Sequence, residues 1–105
     1  MSEVIVVATF TTRPGRGDSV AAGLQAAVAP THNEDGCLLY ALHRGIDDPE
    51  TLVIVERWAS TEALAAHAAQ PWVLGLSALA GDLVGPPRVQ TFRAVPAGDP
   101  DKGVV

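Results

Sequence analysis

The segment Val4–Thr11, with the sequence VIVVATFT, constrains the fold of this chain more than any other feature. It is rich in β-branched residues and is followed by Pro14-Gly15, which predicts a β-strand that enters a turn. Its residues are apolar on both alternating faces, so both faces of the sheet should be covered. Helices can cover one of them. In a chain of 105 residues the other face is left for a second copy, and we expect a face-to-face homodimer.

Three further segments have the composition of β-strands, at residues 37–44, 52–58 and 88–95. Apolar residues at helical spacing predict three helical segments, which start near Asp18, Ser60 and Pro71. We expect Asp18 and Ser60 to be N-caps and Pro71 to be the first residue of its helix. The order β-α-β-β-α-α-β predicts an α+β fold, in which one antiparallel sheet carries helices on one face in the split βαβ arrangement.

The length fits a single domain, which we place at residues 1–96. Residues 97–105 have little to bury and should form a mobile C-terminal tail. Seven basic and twelve acidic residues give a net charge of −5, and the basic residues are scattered, which argues against nucleic acid or an anionic membrane as a partner. The single cysteine cannot form an internal disulfide, and no export or membrane signal is recognisable. We therefore expect a cytoplasmic protein.

No phosphate-binding loop, dinucleotide-binding motif or hydrolase motif occurs in the sequence. The candidate site residues are polar and aromatic residues on the predicted strands. Alternation along the second strand places Tyr40 and Arg44 on one face and Cys37 on the other. On the third strand Glu56 and Trp58 share a face, and a buried Glu56 needs a partner, most simply an arginine across the sheet or the dimer interface. Tyr40 and Trp58 suit a core edge as well as a substrate pocket.

The three histidines differ in their surroundings. His67 lies on the helix after Ser60, where it is either a satisfied core residue or an acid–base group. His32 and His43 are expected to be structural or exposed. No histidine or acidic pair has the spacing of metal ligands, so no metal site is expected. Cys37 is expected to be a small buried residue, because a nucleophilic role would need a lowered pKa.

Residues 34–40, EDGCLLY, resemble the ExGCxxY signature of the antibiotic biosynthesis monooxygenase domain. The usual sequel of that signature is also present: an apolar strand that ends in Glu56-Arg57-Trp58, then STEAL at residues 60–64, then His67. The likeness extends over about residues 3–96 and is greatest to the quinol-oxidising members. Each piece alone is weak, but their combination in this order is fairly specific.

The resemblance implies a ferredoxin-like fold whose sheets pair into a dimeric α+β barrel with a cavity between sheet and helices. It further implies a monooxygenase that oxidises a quinol or polycyclic phenol with O₂ and without metal or cofactor. His67 would then be the base, and Trp58 and Tyr40 would stack on the substrate or bind it by hydrogen bonds. Arg44 or Arg57 could stabilise the substrate anion. The candidate substrate-binding residues are Arg44, Glu56 and Trp72.

Two departures from the family pattern narrow this interpretation. Trp72 stands where many members have a second histidine after the proline. Ala8 and Ser77 stand, with His67, at the places of the Asn, Trp and His set of the haem-degrading members, which disfavours haem degradation. Two alternatives remain open: a non-catalytic dimer that binds a small molecule, and an isomerase of the same fold that uses His67 for proton transfer.

Overall fold

A computed structural model describes residues 2–105 of the chain. Four strands form one sheet: β1 Val4–Thr11, β2 Cys37–Arg44, β3 Thr51–Trp58 and β4 Arg88–Phe92. The helices are α1 Gly17–Gln25, α2 Val28–His32, α3 Thr61–Ala68 and α4 Pro71–Leu74, and α4 continues as a 3₁₀ helix over Gly75–Asp82. The α+β class and the order of the strands are as the sequence predicts, but the single helical segment predicted after β1 is divided into α1 and α2.

The sheet has the strand order β2-β3-β1-β4, and every pair of neighbouring strands is antiparallel. The two most apolar strands, β1 and β3, therefore lie in the centre. This order is that of the ferredoxin-like split βαβ arrangement. The helices lie on one face of the sheet, and residues from β1, β3 and α1 form the core there, among them Val6, Phe10, Leu24 and Ile54.

The sequence predicts Ser60 and Asp18 as helix N-caps, and the structure confirms one of the two. Ser60 caps α3 as expected, since its Oγ accepts a hydrogen bond of 3.1 Å from the Ala63 N–H. The prediction for Asp18 is wrong: α1 begins one residue earlier, at Gly17, and has no side-chain cap. Asp18 lies in the first turn, where its charge suits the helix dipole, and it accepts a 2.7 Å hydrogen bond from Arg44.

The segment after Pro71 holds only one turn of α-helix before it tightens into the 3₁₀ helix. Pro71 is the first residue of this segment, as predicted. Gly75 and Gly81 lower the helix propensity of the segment by about 1 kcal/mol each relative to alanine, which helps to explain why the α-helical geometry is lost. Leu76 and Leu79 still pack against the core from the 3₁₀ helix.

The C-terminal residues return to the sheet. Asp99 accepts hydrogen bonds from the N–H groups of Asp101 and Lys102, and the Arg57 guanidinium donates to the Val105 carbonyl at 3.2 Å. Residues 102–105 lie beside Ile5, which is buried on the sheet face opposite the helices. The mobility of residues 97–105 stays a prediction.

Within residues 2–105 no single helix is long and apolar enough to cross a membrane. Thr61–Ala68 and Pro71–Asp82 meet the criteria of length and composition only when they are taken together, and a bend of 61° separates them.

Candidate functional site

An irregularity at the start of β2 determines which of its side chains face the helices. Cys37 pairs with Trp58 and Leu39 pairs with Arg57, so Leu38 is an extra residue that forms a β-bulge. Cys37 and Tyr40 consequently both pack against the core, and Leu38 is exposed. The alternation predicted from the sequence, with Cys37 on the opposite face from Tyr40, is wrong for this reason.

Gly36 allows the chain to enter this bulge close to α3. Its φ of +81° belongs to the left-handed region that favours glycine. A Cβ atom at this position would lie 2.6 Å from the Ala63 Cβ, so α3 packs directly on the glycine backbone. This close approach brings the residue two positions before Gly36, Glu34, beside His67 of α3.

A buried group of aromatic and ionisable side chains surrounds His67. Trp58 is completely buried, and Tyr40, Glu56 and His67 are each at most 5% exposed. The His67 ring lies 4.5 Å from the Trp58 ring and 5.3 Å from the Tyr40 ring, between centroids, and it meets the Tyr40 ring edge-on. His67 is thus held between two aromatic side chains from two different strands.

Glu56 extends from β3 toward the same histidine. The Trp58 indole N–H donates a 2.8 Å hydrogen bond to Glu56 Oε1. The same oxygen lies 3.9 Å from His67 Nε2, which is too long for a direct hydrogen bond. The arginine partner expected for Glu56 is wrong, because Trp58 fills that role and Arg57 instead binds Glu3 at 2.7 Å.

Glu34 contacts the other side of the histidine ring. Its Oε2 lies 2.8 Å from His67 Nδ1, and the Trp72 indole N–H donates to the same oxygen at 3.0 Å. The side chains of Glu34 and His67 are both less than a tenth exposed. The sequence interpretation assigned no role to Glu34. Its position as the first residue of the ExGCxxY signature was the signal that could have identified it.

An apolar cavity of about 220 Å³ lies between the sheet and the helices. Tyr40, Glu56 and His67 are the side chains in its lining that can form hydrogen bonds. The other lining residues are apolar and come from β1, β3, β4, α3, α4 and the 3₁₀ helix: Val6, Ala8, Phe10, Ile54, Leu64, Ala68, Val73, Leu76 and Val89.

The remaining predicted site residues lie outside this cavity. Arg44 is at the far end of β2, where it binds Asp18 and the Pro49 carbonyl. Trp72 lies on the outer side of Glu34, in a surface hollow. Trp58 is not part of the cavity lining; it packs against the His67 ring on the core side. The structure therefore brings together Tyr40, Glu56, Trp58 and His67, and it leaves Arg44 apart from them.

The surroundings of Glu56, Tyr40 and Cys37 favour the protonated forms of these three groups. Burial raises the pKa of Glu56; the Trp58 N–H and His67 oppose this shift, and the negative charge of Glu34 adds to it. Burial, together with Glu56 and Glu34, also raises the pKa of the Tyr40 phenol, which stays protonated at neutral pH. Burial and the same two carboxylates raise the pKa of the Cys37 thiol, which does not favour a nucleophilic thiolate.

Glu56→Gln is expected to stabilise the protein increasingly as the pH rises. The pKa of Glu56 is raised in the folded state. The stability that Glu56 contributes to the fold is therefore fully present below the ordinary carboxyl pKa of about 4.3, and it is lost as the pH rises through the pKa of the folded state. Glutamine can still accept the Trp58 hydrogen bond and has no charge to bury. Urea unfolding from about pH 4 to about pH 8 should show a difference in unfolding free energy that grows with pH.

The control for this prediction is Glu62→Gln, which makes the same replacement at an exposed residue in the first turn of α3. The unfolding free energy of that variant should differ from wild type by a nearly constant amount over the same pH range. A constant difference for Glu56→Gln would contradict the assignment of a raised pKa to Glu56.

The fold and the cavity define a ferredoxin-like α+β domain that can hold a small ligand between its sheet and its helices. Residues 3–74 match the family model described as antibiotic biosynthesis monooxygenase. The chain belongs to this family.

Individual relatives agree with this assignment. The chain is 39% identical over 93 residues to Rv0793 of Mycobacterium tuberculosis, a protein with a provisional monooxygenase name, and the match covers 89% of this chain and 91% of Rv0793. The solved structure of Rv0793 matches with a TM-score of 0.81 at 35% identity, over 93% of this chain and 98% of that one. The structure of PA3566 from Pseudomonas aeruginosa matches with a TM-score of 0.84 at 27% identity, over 90% and 96% of the two chains.

Proposed function

We propose that the protein is a cofactor-independent monooxygenase that oxidises a small quinol with O₂. The observation that carries this proposal is the position of His67, whose Nε2 lies 3.9 Å from Glu56 Oε1 while both residues line an otherwise nearly apolar cavity. In the net reaction the quinol loses two hydrogen atoms and gains one oxygen atom, and the second oxygen atom leaves as water. O₂ accepts four electrons, all of them from the substrate.

His67 is the proposed base. A quinol reacts with O₂ more readily as its anion, so the protein has to remove a hydroxyl proton. A substrate oxygen in the gap between His67 Nε2 and Glu56 Oε1 can lie within about 2.8 Å of both atoms. His67 would take the proton from this oxygen, and a protonated Glu56 would donate a hydrogen bond to the resulting anion.

The rest of the cavity suits an aromatic ring. Its apolar lining excludes water, which strengthens the hydrogen bonds to the substrate anion and protects reactive intermediates. The Tyr40 ring stands edge-on to His67 and offers an aromatic surface beside the reacting group.

The size of the cavity favours a quinol of one or two rings over a polycyclic phenol. Its volume of about 220 Å³ lies below the range of about 300–1,000 Å³ that is usual for sites of drug-sized ligands. Oxygen uptake should be measured with one-ring quinols, two-ring quinols and a three-ring anthrone. We expect consumption with the smaller quinols and little with the anthrone. Ligand-induced rises in melting temperature without any oxygen uptake would overturn the proposal in favour of the non-catalytic binding protein.

We further propose that two copies pair through the sheet face opposite the helices. The register places aliphatic side chains of the three strands β2, β3 and β1 side by side on this face, with Val55 between Ala41 and Val7. Arg57 and Ile5 lie at the end of this face that the C-terminal residues contact. Such a face buries apolar surface when it meets a copy of itself.

Val55→Glu is expected to convert the proposed dimer into a monomer. The new carboxylate would lie at the centre of the interface and would lose its hydration, and the neighbouring cation on β3, Arg57, is already bound to Glu3. Light scattering of the wild type should give about twice 10.9 kDa, and the variant should give the monomer mass. Val84→Glu is the matched control, because Val84 is 62% exposed and lies outside the strands. A monomeric wild type would contradict the dimer.

A further inference from the structure

We propose that Glu34 and Trp72 are positioning residues that keep a proton on His67 Nδ1 and leave Nε2 free to act as the base. The proposal rests on the proposed function, because it assigns a role to the residues that hold the proposed base, His67, by hydrogen bonds on the side away from the cavity. It also gives a role to Trp72, which stands where many family members have a second histidine.

The hydrogen bonds of Glu34 determine which nitrogen carries the proton. An indole N–H can only donate, so Trp72 makes Glu34 Oε2 an acceptor. His67 Nδ1 lies 2.8 Å from the same oxygen. As a carboxylate, Glu34 can only accept hydrogen bonds, so Nδ1 is the donor in this contact. In the neutral imidazole the other nitrogen, Nε2, then has a free lone pair.

The two nitrogens face different surroundings. Nδ1 points to Glu34, which lines a surface hollow of about 340 Å³ together with Asn33, Asp35 and Trp72. Nε2 lies near Glu56, which lines the inner cavity. The ring therefore presents its basic nitrogen to the substrate side and its N–H to the outer side.

The charge of Glu34 has a second effect when His67 is protonated. An imidazolium buried without a counter-charge is strongly unfavourable, because it loses its hydration and gains no opposite charge. The Glu34 carboxylate at 2.8 Å stabilises this cation while the substrate proton is on the ring. The proton is then available for the oxygen atom that leaves as water, so proton uptake and return balance within one turnover.

Three variants separate the effect of charge from the effect of orientation. In Glu34→Gln the amide oxygen can take the place of Oε2, because the Trp72 N–H needs an acceptor there. The charge is lost and the Nδ1–H form is kept. In Trp72→Phe the carboxylate remains and still accepts from Nδ1. In the double variant the amide can rotate and donate to Nδ1, which moves the proton to Nε2.

Nitrogen-15 NMR of the substrate-free protein, labelled at its histidines, reads the position of the proton directly. We expect the Nδ1–H form of His67 in the wild type and in both single variants. The double variant should show a large fraction of the Nε2–H form. An Nε2–H form in the wild type would overturn the proposal whether or not the protein consumes oxygen, so its failure is distinguishable from failure of the proposed function.

Steady-state kinetics test the role of the charge. Glu34→Gln should lower kcat by about 10- to 100-fold, the usual effect of removing a partner behind a functional histidine, with KM unchanged. The double variant should lose more activity than the two single variants together predict. Glu62→Gln is the control for the replacement itself and should have the kcat of the wild type. A Glu34→Gln variant with wild-type kcat would contradict the proposed role of the charge.

Discussion

His67→Ala is expected to lower quinol-dependent oxygen consumption by about 10²- to 10⁴-fold, the range that a positioned acid–base group contributes. In the proposed reaction His67 removes the substrate proton, and its Nε2 is the basic nitrogen near the cavity. Tyr40 cannot replace it, because the raised pKa of its phenol keeps it protonated. The measurement is the initial rate of oxygen uptake with saturating quinol.

The control variant for His67 is His43→Ala, since His43 is exposed on β2 and, among the described residues, its side chain is hydrogen-bonded only to the Ala41 carbonyl. It should have the rate of the wild type. His67→Gln fills more of the space of the ring and should be as inactive as His67→Ala, which separates loss of the base from loss of packing. Equal rates for wild type and both His67 variants would exclude His67 as the base.

Trp58→Ala is expected to lower the free energy of unfolding by about 3–5 kcal/mol, as is usual for truncation of a large buried aromatic side chain. Trp58 is completely buried, supports the His67 ring and donates to Glu56. Its removal would leave a cavity and a buried carboxyl group without its donor. Chemical denaturation measures this loss.

Trp72→Ala is the matched control for this prediction, because the Trp72 side chain is only partly buried at the edge of the surface hollow. The free energy of unfolding of Trp72→Ala should fall by closer to about 1 kcal/mol, the typical effect of a single substitution. Similar losses for the two variants would contradict the assignment of Trp58 to the core beneath the site.

The elements that the sequence predicted well are those with strong local signals. The β-branched run from Val4 and the segment from Cys37 gave strands with the predicted bounds, and Ser60 caps α3 because its hydroxyl precedes a helical pattern. The resemblance carried by residues 34–40 and 56–67 led to the correct family.

The parts that were missed depend on contacts between distant residues. The bulge at Leu38 adds one residue to β2, and alternation alone cannot reveal such an insertion. The contact of Glu34 with His67 joins residues 33 positions apart and depends on the packing of α3 on Gly36. Arg44 was expected at the site because it shares a strand face with Tyr40, but it lies at the other end of that strand.

The most direct test of the central claim is the fate of the two oxygen atoms of labelled ¹⁸O₂ during oxidation of a two-ring quinol. The proposed monooxygenase should incorporate one ¹⁸O atom into the ring of the product and release the other as labelled water. Mass spectrometry of the product measures this incorporation. An unlabelled quinone formed together with hydrogen peroxide would show a simple oxidase and would contradict the proposed function.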